Sequence, residues 1–255
     1  MKITILGCGA SVGVPSLKFG WGECDSSNPK NLRSRSSIII EHLNTSLLID
    51  MSPDLRQQLL DFRSHKIDGV ILTHEHYDHV IGINELRPVF FGQEKLLEIY
   101  ATENVIKNIK KMFYYLFEET DYLIYKPYIS TNIITDSFAI EDISGICFEQ
   151  DHGHSVTTGI RIGNFAYTTD VVGFSESAFE KLYGLDVWIV GCLSKEKKPT
   201  HANLDTVLKW TKELKPKMTY LTHMSALMDY DALMKELPEN VRPAYDGLQI
   251  IINNF

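Results

Sequence analysis

Seven consecutive residues constrain this chain more than any other stretch: Thr73-His74-Glu75-His76-Tyr77-Asp78-His79. Three imidazoles and a carboxylate within six residues are costly to bury, because each ring needs its hydrogen bonds filled. A metal site repays that cost. The β-branched run Asp68–Thr73 predicts a strand that ends at the motif. In an extended segment His74 and His76 point to one side. A turn after them lets Asp78 and His79 face a second position. Imidazole suits borderline cations such as zinc, and carboxylate suits harder ones such as manganese. A solvated polar loop, the bland alternative, does not account for four ligands at this spacing. Glu75 alternates out of the run and is read as outward-facing.

The habit of placing His or Asp just after a strand recurs along the chain. Residues 2–6 read as a strand that stops at Gly7. Ser37–Glu41 and Ser46–Asp50 read as paired strands. A helix is expected at Pro53 with Ser52 as its cap and Leu55, Leu59, Leu60 and Phe62 as its apolar stripe. Leu97–Ala101 reads as a strand, Glu103–Leu116 as a helix, and residues 120–150 as strands and loops. Gly159–Thr169 reads as a hairpin that ends at Asp170. Helices are expected over Ser175–Leu182, Leu204–Leu214 and Asp229–Leu237. Strands are expected over Val187–Val190, over Met218–Thr222, ending at His223, and over Leu248–Ile252. The stretch Ser11–Arg35, rich in Gly, Pro, Ser and Asn, reads as one long loop, and such loops are usually functional. With no internal repeat or linker, residues 1–255 read as one α/β domain.

Composition removes several function classes. Thirty-three acidic against 25 basic residues give a net charge of -8, which weighs against binding nucleic acid by bulk field. Twelve Phe, twelve Tyr and three Trp supply enough buriable surface to exclude general disorder. Cys8, Cys24, Cys147 and Cys192 form no CxxC pair, so a reducing cytoplasm is expected. The apolar stretch before Cys8 is too short for a signal sequence. No apolar run approaches the roughly 20 residues needed to span a bilayer.

His74-x-His76-x-Asp78-His79 after a strand resembles the signature of the metallo-β-lactamase-fold hydrolases. The opening Gly7-Cys8-Gly9-Ala10-Ser11-x-Gly13-Val14-Pro15 and the closing Pro243-Ala244-Tyr245-Asp246-Gly247-Leu248 resemble the PhnP-type branch, the phosphoribosyl cyclic phosphate phosphodiesterases. Leu48-Ile49-Asp50, Asp151-His152-Gly153, Tyr167-Thr168-Thr169-Asp170 and Leu221-Thr222-His223-Met224 fall in the family's order, so the likeness covers nearly the whole chain. It implies a four-layer αββα sandwich and two divalent cations, zinc or manganese, with iron also tolerated. One would be held by His74, His76 and His152. The other would be held by Asp78, His79 and His223, with Asp170 bridging. His154 stands beside His152 as the alternative ligand or a substrate-facing residue. Homodimerisation is also implied.

In the same resemblance His201, just before the Leu204 helix, is not a ligand. It would contact the substrate phosphate and protonate the leaving oxygen after a metal-generated hydroxide attacks phosphorus. Its bland alternative is a solvent-facing residue at a helix start. Arg33 and Arg35 alternate in the one dense basic stretch near the site and are candidate phosphate contacts, since guanidinium matches phosphate oxygens. A structural loop role weighs equally. His42 and His65 read as surface residues. Members of the branch can carry further cysteines in the opening loop for a structural zinc. Only Cys24 remains here, so no third metal is expected. The expected activity is therefore hydrolysis of a small cyclic or activated phosphodiester. The alternatives are ribonuclease Z-like tRNA processing, thioester hydrolysis and a non-catalytic metal-binding protein; a precursor-tRNA gel shift, a thioester assay and absence of turnover respectively distinguish them.

Overall fold

The computed structural model describes residues 1–63, 66–90, 95–118 and 127–253. Part of the 120–150 reading, and His65, lie outside the described residues. Side-chain alternation builds the two inner layers. In β1 (Lys2–Gly7), Ile3 and Ile5 join one apolar cluster and Leu6 joins another. β2 (Ser37–His42) and β3 (Thr45–Ile49) divide the same way, with Ile38, Ile40, Leu47 and Ile49 on one side and Ile39 and Leu48 on the other. Strands this apolar must be covered on both faces. β4 (Gly69–Ile71), β5 (Leu97–Ala101) and β6 (Ile129–Ile133) extend the sheet by parallel pairing.

The second sheet takes β7 (Ser137–Ile140), β8 (Ile143–Asp151), β9 (Val156–Ile162), β10 (Phe165–Thr168), β11 (Val187–Gly191), β12 (Met218–Thr222) and β13 (Val241–Pro243). β14 (Gln249–Ile251) returns to pair antiparallel with β1. The orders are β14-β1-β2-β3-β4-β5-β6 and β13-β12-β11-β10-β9-β8-β7. Leu55 and Leu59 of α1 (Leu55–Asp61), Val80 of the one-turn α2 (Tyr77–Val80), Phe90 of α3 (Arg87–Phe90) and Ile106 and Ile109 of α4 (Glu103–Met112) cover the outer face of the first sheet. Ala178 of α5 (Glu176–Glu180), Val207 and Leu214 of α6 (Leu204–Leu214) and Leu233 of α7 (Tyr230–Glu236) pack with the second sheet. The result is the four-layer αββα sandwich. Among the described residues no helix is long and apolar enough to cross a membrane.

The helix expected over Ser175–Leu182 ends at Glu180, and two further helix boundaries differ from expectation. The first helix begins at Leu55, not Pro53, because Ser52 Oγ accepts from the Asp54 amide and donates to Gln58 Oε1, which makes a turn before the helix. The Asp54 carboxylate is taken by Arg35 and caps nothing. α4 stops at Met112 because Phe113 leaves helical geometry (φ -123, ψ 35) and buries its ring, and Tyr114–Leu116 then form a separate 3-10 turn.

Asp246 ties the chain's two ends together beneath the site. Its carboxylate accepts from the Cys8 amide at 3.0 Å and from the Ser34 amide and hydroxyl, both at 2.7 Å. Burial nonetheless pushes its pKa from 3.8 up to about 6. The folded form thus prefers the proton. The stability this group contributes is fully present below about pH 4 and is lost as pH rises through 6. Two pKa units correspond to on the order of 3 kcal/mol. Urea melts of the protein and of Asp246→Asn should therefore diverge by about that amount between pH 4 and pH 7, over a constant offset. Parallel pH profiles would refute the reading.

Candidate metal centre

The strands deliver their chemistry at their C-terminal ends, where open α/β sheets bind ligands. Asp50 follows β3, the His74–His79 run follows β4, His152 follows β8, Asp170 lies two residues past β10 and His223 follows β12. Asp50, Asp170 and His223 sit at φ 62, 48 and 54. Few non-glycine residues adopt this left-handed region, and buried ones there cluster at functional sites.

The side chains gather into two sets around one carboxylate. His74, His76, His152 and Asp170 bring a ligand atom each to within 4.8 Å of one another, as do Asp78, His79 and His223. Asp170 faces both: Oδ1 lies 3.3 Å from Nε2 of His79 and of His223, and Oδ2 lies 3.8 Å from His74 Nε2 and 3.9 Å from His152 Nε2. Asp78 Oδ2 completes the second set, 3.3 Å from His79 Nε2 and 3.5 Å from His223 Nε2. A tetrahedral cation with ligands at roughly 2.0–2.1 Å separates neighbouring ligand atoms by about 3.3 Å. The second set therefore has the spacing of a coordination shell. His79 Nε2 is buried without a hydrogen-bond partner, which is the atom a cation would satisfy. The donor set fits divalent metal.

Partners outside the cluster aim the rings. Asp50 Oδ2 lies 2.6 Å from His79 Nδ1, and its carboxylate also accepts from the amide and hydroxyl of Thr73. Thr73 Oγ1 lies 3.0 Å from His74 Nδ1, and the Thr200 carbonyl 2.7 Å from His152 Nδ1. These contacts turn each Nε2 toward Asp170. The sequence reading gave Asp50 no role in the site. An aspartate ending the apolar run Leu47-Leu48-Ile49 was the available signal. Asp50→Ala should lose about 10- to 100-fold in metal affinity while the ligands themselves stay intact; competition against a chromophoric chelator measures this.

Charge is balanced within the cluster. Burial alone would raise the pKa of Asp170 and of Asp78, but the imidazoles of His223 and His79 outweigh it and hold both well below the carboxylate range. Burial lowers His79, yet Asp170 and Asp50 reverse that and raise it. Burial, helped by neighbouring imidazoles, lowers His74 and His152.

His201 stands against this cluster. Its ring stacks on His223 at 4.9 Å and 16°, meets His152 edge-on at 4.8 Å, and brings Nδ1 to 3.9 Å from Asp170 Oδ2. It shares ligand distance with Asp170 and His223. Burial first, then His223, lowers its pKa to about 4. Of the pair His152 and His154, His152 is buried in the cluster, whereas His154 is exposed and gives its amide to the His152 carbonyl. Glu75 turns away and accepts from Asn108.

The expectation that Arg33 faces a phosphate is corrected. Arg33 is 1% exposed, and its guanidinium donates to the Met228 carbonyl at 2.6 Å, Asn31 Oδ1 at 3.1 Å and the Ser225 carbonyl at 3.3 Å. A buried cation needs such acceptors, and they take both terminal nitrogens of its fork away from a substrate. Arg33 instead fastens the opening loop to the segment after His223. Arg35 holds Asp54 at 3.1 Å and lines a cavity of about 480 Å³ with Tyr77 of the motif.

A sequence profile of the β-lactamase superfamily domain matches residues 45–224. The chain belongs to the metallo-β-lactamase superfamily. Its likeness to the PhnP branch spans the fold: a diphosphatase of the PhnP family superposes with a TM-score of 0.91 at 30% identity, covering 99% of this chain and 98% of the other. An octanoyltransferase of Porphyromonas gingivalis is 30% identical over 99% of this chain and 52% of its own length. A ribonuclease Z of Methanococcus maripaludis is 29% identical over 55% of this chain and 42% of its own. The chain spans about half the length of the curated relatives it matches.

Proposed function

We propose that this protein hydrolyses a small phosphodiester, the diester phosphorus of a diphosphate included, with His74, His76 and His152 holding one divalent cation, Asp78, His79 and His223 a second, and Asp170 shared. When bound, such cations supply Lewis-acid charge and lower the pKa of water. The observation that carries the reading is His201, an additional imidazole against a cluster that already has its ligands. Its Nδ1 is turned to Asp170, which assigns Nε2 to the leaving oxygen. The ring is neutral near pH 7 on its own, and an anionic phosphate oxygen beside it favours the protonated form. Asp50 and the Thr200 carbonyl keep the histidines from turning away as substrate exchanges. The full-length likeness to a PhnP-family diphosphatase supports the phosphoryl class. The net charge of -8 argues against tRNA as the substrate.

Metal-depleted protein should regain hydrolysis of bis(p-nitrophenyl) phosphate when zinc or manganese is added back, and should not shift precursor tRNA in a gel. Failure on this ester and on diphosphate diesters, with turnover of a thioester, would replace the proposal.

A further inference from the structure

A cavity of about 350 Å³ opens between the opening loop and the two segments that leave β11 and β12. Val12 and Phe19 form one wall; Leu193, Ala226 and Leu227 form the other. The exposed lining is almost wholly apolar. The serines around it are already engaged: Ser16 Oγ accepts from the Phe19 amide, Ser194 Oγ donates to the Glu196 carbonyl, and Ser225 Oγ accepts from the Leu227 amide. Lys198 is paired with Glu196 at 2.9 Å. A nucleobase or sugar placed here would lose its water and gain few partners. Val12 is 56%, Phe19 65% and Leu227 40% exposed, three apolar side chains gathered at one mouth rather than scattered.

The cavity wall is tied by backbone hydrogen bonds to the segments that carry His201 and His223. The Leu193 carbonyl accepts from Ser225, two residues beyond His223, and the Leu193 amide donates to Ala202, the residue after His201. Leu193 thus stands within one hydrogen bond of Ala202 and of Ser225, one and two residues from the two histidines. The volume is at the low end for ligand sites, which suits one arm of a molecule.

We propose that this cavity is the subsite for an apolar arm, an unbranched alkyl or acyl chain, of the phosphoryl compound bound at the His/Asp centre. The inference rests on the phosphoryl reading given above. It defines a substrate that is half anionic and half greasy.

The test is calorimetric titration of the zinc-loaded protein with methyl-, butyl- and octylphosphonate. Affinity should rise about three- to fourfold per methylene until the cavity is full. In Leu227→Asp and Val12→Asp, both exposed positions whose replacement leaves the core packing alone, the octyl-to-methyl ratio should collapse toward one. Three phosphonates of equal affinity would overturn the subsite and leave the phosphoryl centre standing. A steep series that survives both substitutions would also overturn it, because the chain would then lie elsewhere. No binding of any phosphonate would overturn the phosphoryl reading and the subsite with it.

Discussion

Asp170→Ala is expected to lose turnover of bis(p-nitrophenyl) phosphate by about 10³-fold or more, since the proposed function has this anion shared by two cations and such an anion would contribute several kcal/mol where charge develops. The carboxylate faces both sets: Oδ1 faces His79 and His223, and Oδ2 faces His74 and His152. It also balances the imidazoles around it, which is why its pKa is held so low despite burial. Removing it leaves His79 and His223 with Asp78 and Asp50 alone, and His74 and His152 without their carboxylate. Asp170→Asn separates charge from shape, because asparagine tolerates the left-handed backbone at φ 48 where alanine does not. Both variants should bind fewer than the full complement of cations by elemental analysis. Undiminished turnover in Asp170→Ala and in Asp78→Ala would overturn the dinuclear mechanism.

His201→Ala should lower kcat by about 10²- to 10⁴-fold, the range of a lost general acid. Metal content is the informative companion measurement, because the ring lies at ligand distance from Asp170 and His223. A proton donor can be removed with the cation complement unchanged. A ligand cannot. Full metal content with low kcat supports the assignment made above, and loss of one cation would move His201 into the coordination shell. An activated p-nitrophenyl leaving group needs little protonation, so the defect should grow with poorer leaving groups.

Much of the centre was legible in the sequence because its ligands fall next to strands. His74, His76, Asp78 and His79 are contiguous, and a seven-residue run carries its own geometry. Asp170 and His223 follow apolar runs that are recognisable strands, and the shared left-handed φ values are the backbone's means of turning them inward. Arg33 was not legible. A basic residue in a Ser- and Asn-rich loop reads as solvated, and only the arrival of Ser225 and Met228, nearly two hundred residues later, buries it. Asp50 failed differently: its role is exercised through His79, and sequence spacing does not report a hydrogen bond across 29 residues. The helix boundaries at Leu55 and Met112 were missed because side-chain contacts, those of Ser52 with Gln58 and the burial of the Phe113 ring, decided them.

The Arg33 clasp has a consequence for how the protein meets its ions. Its acceptors are two carbonyls, an amide oxygen and, more distantly, the Cys24 sulfur, none of which belongs to the cluster. The doorway around Val14 and Ser225 is therefore stitched by an organic cation that no chelator can extract. The threshold is expected to hold its place in metal-depleted protein, so that loading fills a formed socket rather than driving folding; a near-ultraviolet circular dichroism spectrum unchanged by chelator checks this.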